Sequence, residues 1–196
     1  MNKENLSSDR LKDCDLLIIS SPQTQFTDDE LDTIKKYIDE GGSLAVFSSK
    51  GATQSSESNL NELLADYGIA INHTTLVRAV YHKYLHTKHA LIQTGIVQPE
   101  IGHEKYTPLK GLTRNRQQKQ SMTDNGDMDP STSLSFVYPN DTTLSVQSPA
   151  YTLLSSGSTS YPVDCPIAAT WESTRMNGER GRVLVVGSSS IFADNC

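Results

Sequence analysis

CDLLIIS at 14–20, TDDELDTIKKYIDEGG at 27–42 and SLAVFSS at 43–49 decide the fold. The first and last are short, continuous apolar runs, the pattern of strands buried on both faces beneath helices. Between them, Thr27 and Glu30 form a capping box. The Thr27 hydroxyl accepts from the Glu30 amide, and the Glu30 carboxylate answers at the Thr27 amide. Asp28 and Asp29 add negative charge at the positive end of the helix dipole. Leu31, Ile34, Tyr37 and Ile38 repeat at helical spacing. Gly41 and Gly42 end the helix, because glycine takes the left-handed conformation at little cost. Strand, helix and strand within about 35 residues make a βαβ unit, which implies a parallel sheet.

Outward from this unit, residues 1–13 form a polar lead-in. KGATQSSESN at 50–59 leads to a second helix near 59–67, with Leu60, Leu63 and Leu64 inward and Gly68 as its stop. IAIN at 69–72 reads as a third strand. The stretch 74–101 mixes strand and helix periods and supports neither. Residues 103–132 are polar and long for an internal connection, so a mobile loop is expected there. LSFVY (134–138), TLSVQ (143–147), YTLLSS (151–156), PIAATWES (166–173) and RVLVVGS (182–188) are strand candidates. Pro139-Asn140-Asp141 and Asn177-Gly178 read as hairpin turns between them. SSIFADNC reads as the start of a closing helix. The expectation is one α/β domain over 14–196, shortened at both ends. Its sheet is mixed, mostly parallel and flanked by helices, amidotransferase/flavodoxin-like, with an antiparallel hairpin extension. Leu17, Ile19, Val46, Ile167, Leu184 and Val186 are expected in the central core.

Composition narrows the function. The 196 residues are 36% hydrophobic and 20% charged, which suits one globular domain. Lys and Arg number 17 against 23 Asp and Glu, for a net charge of −6. That balance argues against nucleic-acid binding by bulk charge. No apolar run approaches the ~20 residues of a membrane span. MNKENLSSDR has no apolar stretch that would serve as a secretory signal. Cys14, Cys165 and Cys196 lack metal or redox spacing and read as free thiols in a reducing compartment.

Catalytic motifs are incomplete. GSSSI at 187–191 follows a strand as a nucleophile elbow would, but Ile191 replaces the second glycine and no histidine follows the serines. A serine-rich N-cap explains it better. The strand end FSSKG at 47–51 has no cysteine for thiol chemistry. No residue is therefore assigned to catalysis, and the chain reads as a non-enzyme without cofactor. His82, His86 and His89 share a face if their segment is helical, but Lys83 and Lys88 would repel a cation, and no metal is assigned. Arg78, Tyr81, His82, Lys83, Tyr84 and His86 interleave cationic and aromatic groups, which suits a protein partner. The rival reading is a sugar- or nucleotide-binding crevice at the carboxyl ends of the strands, lined by Ser20, Ser21, Ser48, Ser49 and Ser188.

TDDELDTIKKYIDEGGSLAVF, NELLADYGI, VRAVYHKYLHTKHALIQTGIVQPEIG, FVYPNDTTLSV, LLSSGSTSYPVDCPIAA and GRVLVVGSSSIFAD together resemble the N-terminal domain of the intraflagellar transport protein 52 family, over residues 13–194. The resemblance implies a glutamine amidotransferase-like sheet without catalytic residues. It implies a scaffold that supports ciliogenesis, partnered by other subunits of ciliary transport complex B. The implied location is the cilium or flagellum and its basal body, on the cytoplasmic side. Members of the family carry a further strand and helix before the position of Cys14. They also continue beyond Asp194 into parts that hold several other subunits.

Overall fold

The computed structural model describes residues 6–22, 24–48, 59–79, 89–92, 97, 136–139, 142–174 and 180–192. The βαβ unit forms as its sequence dictates. Strand β1 (Leu16–Ser20) is followed by a long helix and by β2 (Ser43–Phe47), and the two strands pair in parallel, Leu17 beside Leu44 and Ile19 beside Val46. That helix (Asp28–Asp39) is α2, after a short α1 (Ser8–Leu11). Both halves of its capping box are present: Glu30 N donates to Thr27 Oγ1 at 3.3 Å, and Thr27 N to Glu30 Oε2 at 3.0 Å. Gly41, at φ 102°, ends the helix as expected.

Helix α3 (Leu60–Ala65) and strand β3 (Ile69–Thr75) follow, then β4 (Val77–Arg78), β5 (His89–Ile92), β6 (Phe136–Pro139) and β7 (Thr142–Val146). The chain goes on through β8 (Tyr151–Ser155), β9 (Ser160–Tyr161), β10 (Pro166–Thr174) and β11 (Arg180–Val186) to a single 3-10 turn at Ser190–Phe192. The main sheet has the order β1-β2-β11-β10-β8. β11 lies parallel to β2, with Val183 beside Leu44 and Val185 beside Val46. β10 is antiparallel to β11, and β8 is antiparallel to β10.

The sheet is therefore half parallel rather than mostly parallel. The reason is connection length. Residues 156–165 and 175–179 join β8 to β10 and β10 to β11, and neither is long enough for the crossover that parallel neighbours need. The antiparallel pairing of β10 with β11 agrees with the turn signal at Asn177-Gly178, two residues that lie outside the described ones. The hairpin expected at Pro139-Asn140-Asp141 does not form a pair: β6 pairs with β5, and β7 pairs antiparallel with β3. β3, read as the third strand after the βαβ unit, thus stands outside the main sheet.

The three described helices serve one face of the sheet. Leu11 of α1, Ile34 and Ile38 of α2, and Leu63 and Leu64 of α3 join Ile19, Leu44, Val46, Val183 and Val185 in one cluster. Leu6, within the polar lead-in, packs against it. Tyr67 meets Trp171 edge to face, with ring centroids 4.7 Å apart. On the opposite face Leu16 and Ile18 are exposed, so β1 is not covered on both sides. Arg182 Nε and Glu172 Oε1 pair there at 3.0 Å. Ile19, Val46, Ile167 and Val186 are buried as expected, whereas Leu17 and Leu184 are half-buried. A second cluster of Leu76, Ala90, Ile92, Tyr138 and Ile167 packs where β5 and β6 meet β10. The polar stretch 103–132 lies outside the described residues.

Candidate interaction surface

The strand-end crevice is filled by the protein itself. Beyond β2, Ser48 is buried and its amide donates to Val186 O at 3.0 Å. Beyond β11, Ser188 is fully buried, with its hydroxyl 3.5 Å from Pro139 O. β6 and β7 close this end. Thr142 N and Thr142 Oγ1 both donate to Gly187 O, at 3.0 and 3.2 Å, and Tyr138 OH donates to Thr142 O at 3.2 Å. The approach is so close that a Cβ on Gly187 would lie 2.1 Å from Thr142 O. Ser20 is exposed and Ser21 is half-buried at φ 44°, its amide bound to Phe47 O at 2.8 Å. Ser49 lies outside the described residues. The hydroxyls that the sequence places at the strand ends therefore do not converge on one open crevice, because Ser48 is buried beside β11 and Ser188 is buried against β6.

Of the six residues singled out for partner contact, the described residues include Arg78; Tyr81, His82, Lys83, Tyr84 and His86 lie outside them. Arg78 is half-buried on β4, opposite Ser160 of β9. Its neighbour Val77 stands opposite Tyr161. Ala79 N continues this pair by donating to Thr159 O at 3.0 Å, and Thr159 Oγ1 ties the two-stranded piece to β5 by donating to Leu91 O at 2.7 Å. His89, the third histidine of the i, i+4, i+7 series, is on β5 opposite Pro139. Among the described residues, no three His, Cys, Asp or Glu side chains gather as metal ligands.

The sequence reading missed what lies beside Arg78. Val77, Tyr161 and Val163 are all exposed. The signal was present in YPVD at 161–164: two apolar side chains in a Gly-, Ser- and Pro-rich connection, where no strand period calls for them.

The family model described as "IFT52 GIFT domain" matches residues 1–196. The chain is 35% identical over 192 residues to the intraflagellar transport protein 52 homologs of Homo sapiens and Mus musculus. The match covers 98% of this chain but 41% and 42% of theirs, so the chain spans about two fifths of the length of these relatives. Among solved structures, the mmIFT52 N-terminal domain superposes with a TM-score of 0.77 at 34% identity, covering 98% of this chain and 74% of that one. A cytoplasmic protein of Salmonella typhimurium, STM3548, has a TM-score of 0.50 at 16% identity, over 93% of this chain and 63% of its own, a likeness of fold alone. The α/β fold, the identity along nearly the whole chain and the family match agree: the chain belongs to the intraflagellar transport protein 52 family and carries its GIFT domain.

Proposed function

We propose that this chain is a non-enzymatic protein-interaction domain of a ciliary intraflagellar transport scaffold. It works within complex B, in the cilium or flagellum and at the basal body on the cytoplasmic side, and supports ciliogenesis. Its partners are other subunits of that complex. The observation that carries the reading is the closed strand end. In a sheet of this type a ligand or substrate enters at the carboxyl ends of the strands. Here Tyr138, Thr142 and Ser188 occupy that place and are buried. A platform whose crevice is packed with its own side chains is left with its outer surface for recognition. The names of the relatives, intraflagellar transport proteins, support the ciliary setting. The parallel trio β1, β2 and β11 supports an amidotransferase-like descent, and one domain over 14–196 is its natural unit. No helix among the described residues is long and apolar enough to cross a membrane.

Arg78, Tyr81, His82, Lys83, Tyr84 and His86 are the proposed contact set. The test is a double substitution, Lys83→Ala with Tyr84→Ala. Assembly with complex B subunits is expected to weaken by about 1–2 kcal/mol while the melting temperature stays put. Loss of folding together with assembly would assign the segment to the core and remove it from the contact set.

A further inference from the structure

The connection from β8 to β10, residues 156–165, is closed at its base. Ser156 N donates to Cys165 O at 2.8 Å, and Cys165 N donates back to Ser156 Oγ at 3.0 Å. The same hydroxyl donates to Pro162 O at 2.7 Å. Asp164 N reaches Gly157 O at 3.1 Å. Ser156 is fully buried, so its bonds are shielded from water. The bonds of Ala79 and Thr159 fix the far side of the loop to β4 and β5. A loop with joined ends, packed on its own polar groups, is an Ω-loop, a common carrier of function. It holds its shape before any partner arrives, so little ordering entropy is lost on binding.

What this rigid loop presents is apolar. Tyr161 is 66% exposed and Val163 is 52% exposed. Val77, 38% exposed, lies opposite Tyr161 on the paired strand, so both side chains point to the same face. Asp164 stands next to Val163 in the left-handed conformation, at φ 52°. It is exposed, and among the described residues its carboxylate has no partner. Folding gains little from a tyrosine ring held mostly in water. A preorganised aromatic beside aliphatic side chains and a free charge is, however, the composition of a binding hot spot.

We infer that loop 156–165, with Val77, is a docking surface for another protein. The partner's complementary surface is an apolar pocket that receives the Tyr161 ring and Val163, rimmed by a Lys or Arg that pairs with Asp164. The unpaired carboxylate sets the sign of that rim, since an acidic one would place like charges together. The same carboxylate, on a chain of net charge −6, repels a phosphate backbone, so the partner is not a nucleic acid. This surface includes none of the residues 81–86 and rests on the reading of the chain as an interaction domain.

The test uses the 196-residue chain and purified complex B subunits as probes. A photo-crosslinking amino acid is placed at position 161 and, as a control, at exposed Asp29 of α2. A covalent adduct with one subunit is expected from 161 and none from 29. Tyr161→Ala is expected to lower the affinity for that subunit about thirty-fold, with an unchanged melting temperature. Asp164→Asn keeps a residue that tolerates the left-handed conformation. It is expected to lose about three- to tenfold and to flatten the dependence of binding on salt. Binding that is undiminished in Tyr161→Ala, without an adduct at 161, overturns this inference and leaves the functional reading standing. A melting temperature that falls with the affinity makes the loop structural and also overturns it. An intact chain that binds none of the subunits overturns both.

Discussion

Ile18 and Ile19 are adjacent on β1, share its strand propensity and point to opposite faces of the sheet. Ile19 is 7% exposed and packs with α2 and β2, whereas Ile18 is 57% exposed. Replacement of each by alanine removes the same three carbons. Full burial of three carbons is worth about 2.4 kcal/mol at ~0.8 kcal/mol each. Ile19→Ala also leaves a cavity beneath a helix that cannot collapse freely, which brings its cost to about 3 kcal/mol. Ile18→Ala gives up less than half of the transfer energy and opens no cavity, for about 1 kcal/mol. At this chain length each kcal/mol moves the melting temperature by about 2–4 °C, so the two variants should differ by about 4–8 °C. Trp171 is the sole tryptophan and packs against the helix-facing core, so its fluorescence reports urea unfolding directly. The slope of the transition should match in both variants, with the midpoint alone displaced. Equal losses from Ile18→Ala and Ile19→Ala would refute the one-sided burial of β1 and require cover over Leu16 and Ile18 in solution.

Gly187→Ala is expected to cost about 2–3 kcal/mol, because its Cβ meets the carbonyl of Thr142 and the hydroxyl of Tyr138; an unmoved melting temperature would mean that β6 and β7 do not seat on the end of β11. Glu30 accepts from Thr27 N and from Leu6 N at 3.1 Å, and these bonds hold its carboxyl below the ordinary 4.5. A depressed folded pKa gives stability that is present above the unfolded value and is lost as pH falls through the folded one. Glu30→Gln should therefore shrink the loss of stability as pH falls below the ordinary 4.5, and an unchanged pH profile of urea midpoints would show that the Leu6 and Thr27 bonds do not persist in solution.

The elements that the sequence shows well are those set by neighbours along the chain. The Thr27–Glu30 box and the 31-34-37-38 stripe each join residues a few positions apart and appear as read, and β10 pairs antiparallel with β11 as the Asn177-Gly178 signal between them implies. The failures are long-range. CDLLIIS has the composition of a strand buried on both faces, yet burial depends on what other segments lay over it, and the described helices all lie on one side. The turn residues at 139–141 do fall between two strands, β6 and β7. They carry no information about partners, and β6 and β7 find theirs at β5 and β3, with partners at least 44 and 67 positions away in the chain. The hydroxyls at the strand ends were visible as residue types, but the burial of Ser188 follows from β6 lying against it, 49 positions away in the chain. Tyr161 and Val163 escaped notice because residues between strands are presumed to be spacers.

The position of β11 has a consequence for synthesis. It is the middle strand of the main sheet and the last to be translated. β1 and β2 leave the ribosome early, but the neighbour that completes the sheet beside β2 follows about 140 residues later. At ~5–20 residues per second the wait is roughly 7–28 s. For that time the edge of β2 that β11 will fill stays unpaired, although the helices already cover one face, and such an edge invites association with other nascent chains. A ribosome stalled anywhere before β11 would therefore release a half-sheet with an open, adhesive edge.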